Sequence, residues 1–378
     1  MRPPSWTAWL GVVLASCGGV QDPGEPAAID AAHVTTSGAI AIANLDHLIA
    51  QRGAEAGVED LLLARSRFVG DYDALDRATA IAEARSATAG ELLRRARTRS
   101  AVHRFGDALA DVAAAERAGG GGDEIAALKA SILIAVGRAG EVIPALELAL
   151  ARRPGFASNT ALATAYAAVG RLGDADRLYL AALAALDTTA PFPYAWIYFV
   201  RGMMWTEQGR DPARGEALYR RALDHLPEFA TANIHLAEIE AARGDLALAI
   251  ARLERVAASS AEPEALGLLG ALHLRTGEPA RGRAEIARAA ERFDALLARH
   301  PLAFADHAAA FYLGPGADPD RAWPLAEHNL ANRATDRAFA LAIAAAQATG
   351  RRGEVCALVA SARARSIQVA PEGCPGPP

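Results

Sequence analysis

Apolar residues recur every three to four positions from about residue 38 onward, and short turns interrupt the pattern at regular intervals. This spacing places the apolar side chains on one face of a helix, so it predicts a succession of amphipathic helices. Eight turns are marked by Gly70, His103, Gly137, Gly170, Gly209, Gly244, Gly277 and Gly350. Successive turns lie 33 to 39 residues apart except for a last interval of 73, which a further turn near Ala317 divides into about 40 and 33. The sequence therefore predicts eight or nine repeated helix pairs, with His103 replacing a turn glycine.

Small residues stand at fixed distances from these turns. Seven positions before six of the turns come Ala96, Ala130, Ala163, Gly202, Ala237 and Gly270. About five positions after the turns come Ala108, Ala175, Gly215, Ala249 and Gly282, and the unit with Gly215 carries a one-residue insertion in its turn. Because small side chains let two helices approach closely, these positions predict where paired helices cross. Pro154 and Pro227 are expected to end the helices before them, since proline cannot continue a helix.

The period near 34 residues resembles that of the tetratricopeptide repeat (TPR) family over about residues 38–368. The best-matching stretches are 156–187, 195–228 and 230–260. The resemblance implies an all-α fold, a right-handed α-solenoid of antiparallel helix pairs whose first helices line a concave groove. The chain departs from the family pattern at Arg201, where leucine is preferred, and in an overlong second helix around 279–299. A generic all-α bundle is the alternative interpretation.

The resemblance also implies which side chains face the groove, because helix positions two, five, nine and twelve point inward in this family. In the unit that turns at Gly209 these positions are Trp196, Phe199, Met203 and Thr206. The preceding unit has Ala157, Thr160, Thr164 and Ala167, and the following unit has Thr231, Ile234, Glu238 and Ala241. Residues 191–205 hold six of the chain's 22 aromatic residues, so this segment is predicted to bind a partner. The alternative is that it is the core of one unit, which we favour for Tyr198 and Trp205.

The N-terminus has the pattern of an export signal. Arg2 precedes an apolar stretch from Ala8 to Ala15, which is too short for a membrane span of about 20 residues. The following Leu14-Ala15-Ser16-Cys17 resembles the bacterial lipobox, which implies cleavage before Cys17 and acylation of that cysteine. Residues 1–16 are thus expected to be a lipoprotein signal peptide, although a chance cysteine after a generic signal is the alternative. In Gram-negative lipoproteins an aspartate directly after the cysteine retains the protein at the inner membrane. Because glycines follow Cys17, the resemblance implies an outer-membrane destination.

Two further segments lack helical periodicity. Residues 17–37 are rich in glycine, proline and small polar residues and are expected to be a flexible tether. Residues 369–378 form a proline- and glycine-rich tail. Cys356 lies in the last helical pattern and Cys374 in the tail, and an exported protein permits a disulfide between them. Two free thiols are the alternative.

Composition and the absence of known motifs restrict the range of possible functions. A net charge of −5 over 378 residues does not favour nucleic-acid binding, which needs a basic face. No catalytic signature is present, the nine histidines are scattered, and Gly119–Gly122 is interpreted as a linker. Glu238 and Glu240 are expected to point to different helix faces as solvated charges. The sequence therefore predicts no enzyme, no cofactor and no metal site.

The leading hypothesis is a lipid-anchored scaffold at the bacterial outer membrane, facing the periplasm. It would bind a protein or peptide partner of the cell envelope in its groove and so support assembly of an envelope complex, with no small-molecule substrate. Chaperone cofactors of this family hold a peptide carboxylate with groove lysines and asparagines. Here the single lysine, Lys129, is expected at a packing position, so that activity is not predicted for this chain. The alternative function is an accessory role with peptidoglycan or polysaccharide, in export or wall remodelling.

Overall fold

A computed structural model describes residues 33–365, 367 and 369. These residues form nineteen α-helices and no strand. The helices are α1 (Gly38–Arg52), α2 (Val58–Val69), α3 (Tyr72–Glu83), α4 (Ala89–Ala101), α5 (Phe105–Arg117), α6 (Asp123–Ala135), α7 (Ala139–Arg152), α8 (Phe156–Ala168), α9 (Leu172–Ala184), α10 (Pro191–Met203), α11 (Pro212–His225), α12 (Ala230–Arg243), α13 (Leu246–Ser259), α14 (Pro263–Arg275), α15 (Pro279–Arg299), α16 (Pro301–Leu313), α17 (Pro319–Asn332), α18 (Asp336–Ala348) and α19 (Arg352–Ala364). A π-helical turn, Met204–Gln208, extends α10.

The helices after α1 pack as consecutive pairs, from α2 with α3 to α18 with α19, and the pair of α14 with α15 meets at Gly270 and Gly282. The nine pairs confirm the predicted fold class, an all-α solenoid of antiparallel helix pairs. Helix α15 has 21 residues and is overlong, as the sequence indicated. The helices before Pro154 and Pro227 end at Arg152 and His225, as predicted.

One residue with positive φ lies at the turn inside each pair. Six are glycines: Gly70, Gly137, Gly170, Gly244, Gly277 and Gly350. The others are His103 (φ 57°), Arg210 (φ 54°) and Ala317 (φ 49°). Glycine is favoured here because a β-carbon strains the left-handed conformation. The predictions that His103 replaces a turn glycine and that a further turn lies near Ala317 are both confirmed.

The predicted turn at Gly209 is wrong by one residue. Gly209 has a φ of −74°, and the left-handed residue is Arg210. The inserted residue is absorbed in the π-helical turn before it, where the Gly209 amide donates to the Met204 carbonyl at 3.0 Å. A β-carbon on Gly209 would lie 2.5 Å from Trp205 Cε3, so glycine here makes room for the buried indole.

The small residues lie at helix crossings, as predicted. Ala96 and Ala108 are fully buried where α4 crosses α5. A β-carbon on Gly202 would lie 2.6 Å from Tyr219 Cε1 on α11. On α14, a β-carbon on Gly270 would lie 2.7 Å from the Gly282 carbonyl oxygen of α15. Each site would need the two helices to separate before a larger side chain could enter.

Buried acidic residues paired with arginine join the helices of several pairs. Glu240 is fully buried and accepts from Arg252 Nη2 at 2.7 Å, so the prediction that it is a solvated charge is wrong. The sequence pattern placed Glu240 on a different face from the exposed Glu238 but did not reveal its partner on α13.

The prediction that Lys129 packs in a core is also wrong. Lys129 is exposed, and its ammonium group lies 3.5 Å from the Glu116 carboxylate.

The contacts divide the described chain into two compact units between Ala265 and Leu266, within α14. We call residues 33–265 the N-terminal unit and residues 266–369 the C-terminal unit. The largest core of the N-terminal unit includes Tyr198, Phe199 and Tyr219. One core of the C-terminal unit is built by α16 to α19 around Trp323.

Candidate partner-binding site

The four predicted groove residues of α10 differ in exposure. Phe199 is only 4% exposed, and its ring centroid lies 4.8 Å from that of Phe229. Trp196, Met203 and Thr206 are partly exposed, and the Trp196 and Phe199 rings lie 5.9 Å apart. This burial favours the core alternative for Phe199. The role of the other three residues in partner binding stays a prediction.

The neighbouring units contribute more open positions. Ala157 and Thr164 on α8 and Glu238 on α12 are exposed, whereas Ala167, Ile234 and Ala241 are buried. Thr160 and Thr231 are partly exposed. We call the side of α8, α10 and α12 that carries the predicted groove positions the groove face. Its accessible part consists of short side chains and one acid on either side of Trp196.

Helix α2 covers the aromatic part of the groove face. The Phe68 ring lies 5.0 Å from the Phe192 ring of α10 and 5.0 Å from the Phe229 ring directly before α12. The Arg67 guanidinium carbon lies 4.8 Å from the centre of the Trp196 ring, within range of a cation–π interaction. The first helix of the first pair therefore packs against the first helices of the fifth and sixth pairs.

Further contacts join the same distant parts of the N-terminal unit. The Thr36 amide donates to the Thr189 carbonyl at 2.8 Å. The Ala261 amide donates to the Gly70 carbonyl at 3.0 Å, and Tyr72 Oη donates to the Glu262 carboxylate at 2.7 Å. We call this set, together with the Phe68 and Arg67 contacts, the closure contact. It makes the N-terminal unit close on itself.

The described end of the predicted tether belongs to this packing. The His33 ring lies 4.9 Å from the Tyr194 ring, and Thr35 Oγ1 lies 3.1 Å from His225 Nδ1. Residues 33–36 therefore lie against α10 and α11 and are not part of a flexible tether. The prediction of a tether over residues 17–37 is wrong for these four residues. The sequence did not show this because these residues lack helical periodicity.

Charged groups beside the groove face have altered pKa values. Burial alone would lower the pKa of His235, but Glu238, whose carboxylate lies 3.0 Å from His235 Nδ1, outweighs it with help from Glu207 and Glu264 and raises that pKa. Burial lowers the pKa of Arg67, although its side chain is exposed.

The pKa of Tyr72, the tyrosine of the closure contact, is also shifted. Burial raises the pKa of Tyr72 well above its usual value, and the carboxylates of Glu262 and Glu264 raise it further. Tyr72 therefore stays protonated and remains the donor to Glu262.

The remaining predicted sites have different outcomes. Cys17 and Cys374 lie outside the described residues. Cys356 is disulfide-bonded on α19, and its pairing with Cys374 stays a prediction. Within the described part of the chain, no three His, Cys, Asp or Glu side chains are placed to hold a metal ion. No helix among residues 33–365 is both long enough and apolar enough to cross a membrane.

The sequence pattern did not identify Arg67, Phe68 or Phe229 as site residues. Phe68 and Phe229 are 161 positions apart, and no repeat spacing relates them. The one available signal was the apolar position of Phe68 at the end of the first helical pattern.

No protein-family model matches this chain, and no curated protein matches its sequence. Solved structures of helical-repeat proteins are similar to it at low identity. A chain of the APC/C hetero-tetramer Cut9-Hcn1 is 15% identical with a TM-score of 0.48, over 85% of this chain and 63% of that one. This chain thus spans less than two thirds of that protein chain.

Two other structures have comparable similarity. The C-terminal part of a TPR repeat-containing protein from Cytophaga hutchinsonii is 15% identical, over 62% of this chain and 93% of that chain, with a TM-score of 0.33. The human IFIT1 dimer with m7Gppp-AAAA is 13% identical, over 89% and 79%, with a TM-score of 0.46. The fold class rests on the nine helix pairs of the chain itself.

Proposed function

We propose that this protein is a non-catalytic TPR-like scaffold that binds a segment of an envelope protein on its groove face. The observation that carries the proposal is the exposure of Ala157, Thr164 and Glu238 on either side of the partly exposed Trp196. Short side chains let a partner backbone approach closely, and a neighbouring aromatic ring supplies an anchor. Helices and extended peptides bind in grooves of this kind.

The proposal includes a lipid anchor at the outer membrane, facing the periplasm. It is supported by Leu14-Ala15-Ser16-Cys17 after a short apolar stretch. Two or more acyl chains hold a protein stably at a membrane, whereas one chain gives marginal binding. A scaffold anchored in this way would hold its partner at the membrane surface while an envelope complex assembles.

Site-specific photo-cross-linking in living cells tests the groove face. A photoreactive amino acid replaces Ala157 or Thr164 in the full chain, and Arg255, which is exposed on the second helix α13, serves as the matched control position. We expect one discrete protein adduct from the groove positions and none from Arg255. Equal adducts at all three positions, or adducts to peptidoglycan alone, would contradict a protein-binding groove.

The anchor is tested by Cys17→Ser. Since this change removes the thiol that would be acylated, we expect the protein to move from the membrane fraction to the soluble periplasmic fraction. Fractionation in high salt with immunoblotting measures the distribution. A variant that stays with the membranes would show that Cys17 is not the anchor.

A further inference from the structure

Phe68 packs outside the core of its own helix pair. Leu62 of α2 and Ala74 of α3 belong to a small core built by α1 to α3. Phe68 instead belongs to the large core that extends from α6 to α12, together with Phe199 and Phe229. Helix α2 therefore inserts Phe68 into this core, where the rings that contact it, Phe192 and Phe229, lie more than 120 positions away along the chain.

The closure contact covers much of this part of the groove face. Phe68 fills the space between Phe192 and Phe229, and Arg67 lies over Trp196. An incoming partner cannot use the ring surfaces that Phe68 and Arg67 contact while α2 remains in place. The open positions on α8 are available without any movement.

The chain between the two sides of the closure contact contains a glycine-rich connection. Gly119, Gly121 and Gly122 join the second pair to the third, and a β-carbon added at any of them would meet no atom within 4 Å. Gly119 and Gly122 have positive φ values of 81° and 96°. Glycines with free space around them can change their backbone angles at small cost, but Gly120 packs against Ala89, and α6 shares a core with α4 and α5 across this connection. Displacement of α2 therefore occurs within the first two pairs or breaks that shared core.

We propose that α2 is an intramolecular ligand of the groove face and that the partner segment displaces it. The same chemistry then defines the partner: an amphipathic helix that presents an arginine directly before a phenylalanine, as Arg67 and Phe68 do. The phenylalanine enters the space between Phe192 and Phe229, and the arginine stacks on Trp196. This inference rests on the proposed function only for the existence of a partner.

An intramolecular ligand competes with the partner, so the apparent affinity equals the intrinsic affinity multiplied by the fraction of molecules in which α2 is displaced. Weakening the closure contact therefore increases binding without any change in the groove face itself. This result distinguishes an intramolecular ligand from ordinary core packing, because a core substitution would only lower stability.

The probe is a fluorescent synthetic peptide of residues 58–72, and the readout is its fluorescence anisotropy with the full chain. We expect the Phe68→Ala protein to bind it at least about tenfold more tightly than the wild type. A peptide that carries alanine in place of Phe68 should bind neither protein. Phe105→Ala, which removes a buried ring from α5, is the matched control and should leave the affinity unchanged.

A second variant guards against misfolding of Phe68→Ala. Arg67→Ala with Tyr72→Phe removes the stacked cation and the hydrogen bond to Glu262 while Phe68 remains, and it should also increase peptide binding. Equal affinity of the wild type and both weakened variants would overturn the proposal, as would tighter binding by Phe105→Ala. If the peptide binds as expected but no cross-linked partner is found in cells, the intramolecular ligand stands and the proposed function fails.

Discussion

Asp176 is the residue that best shows how this chain compensates a buried charge. Its carboxylate accepts from Arg201 Nε at 2.9 Å, Trp205 Nε1 at 3.0 Å and Arg214 Nη2 at 2.8 Å. Burial alone would raise the pKa of Asp176, but these donors outweigh it and lower that pKa. The network also explains Arg201, which departs from the leucine of the family pattern because its charge pairs with Asp176.

Asp176→Ala should therefore destabilise the protein strongly. Removing one partner of a buried ion pair leaves the other charge uncompensated and costs about 3–5 kcal/mol of unfolding free energy. Asp174→Ala on the same helix is the matched control, because Asp174 is 30% exposed and such pairs contribute about 1 kcal/mol or less. Urea unfolding at pH 7 measures both, and equal losses would contradict the assignment.

His235 makes stability depend on pH in the opposite direction from an acid. Its folded-state pKa is raised above the ordinary value, so its contribution is fully present below about pH 6.5 and is lost as pH rises through the folded pKa. Glu238→Gln removes the largest charge that raises this pKa. The wild type should exceed this variant in unfolding free energy by more at pH 5.5 than at pH 8.5. A difference that does not change with pH would be inconsistent with this linkage.

At the scale of elements, the sequence predicted the helices and turns well because both follow local rules. Apolar periodicity identified the helix pairs, and the interval of 73 residues after Gly277 indicated the turn that the structure places at Ala317. The turn at Gly209 was misplaced because a repeat period counts residues without showing where an extra one is absorbed. Here the π-helical turn Met204–Gln208 absorbs it.

Substitutions at two glycines three residues apart distinguish the effect of turn conformation on stability from the effect of helix propensity. Gly170 has a φ of 78°, whereas Gly173 is within α9, and a β-carbon at either would meet no atom within 4 Å. Gly170→Ala should lower the free energy of unfolding by roughly 1 kcal/mol, because the added β-carbon strains the left-handed backbone without clashing with a neighbour. Gly173→Ala should raise the free energy of unfolding by roughly 0.5 kcal/mol, because alanine has the higher helix propensity. Chemical unfolding measures both changes, and changes of the same sign would refute the turn assignment.

At the scale of the whole molecule, the repeat pattern determines which helices pair but not which distant helices meet. The closure contact depends on the rotation that accumulates over successive pairs, and no local spacing encodes it. For this reason the sequence predicted Trp196 on a groove face but missed that Arg67 and Phe68 cover that region. Phe199, predicted to face the groove, is buried because Phe229 and Tyr219 pack against it.

Hydrogen–deuterium exchange of the full chain tests the self-closure of the N-terminal unit most directly. Phe68→Ala should speed amide exchange in α10 and α12, more than 120 residues away in sequence, because it weakens the contact that covers them. Phe105→Ala should speed exchange in α4 to α6, whose core contains Phe105, and leave α10 and α12 as in the wild type. Unchanged exchange in α10 and α12 of Phe68→Ala would contradict the closed arrangement.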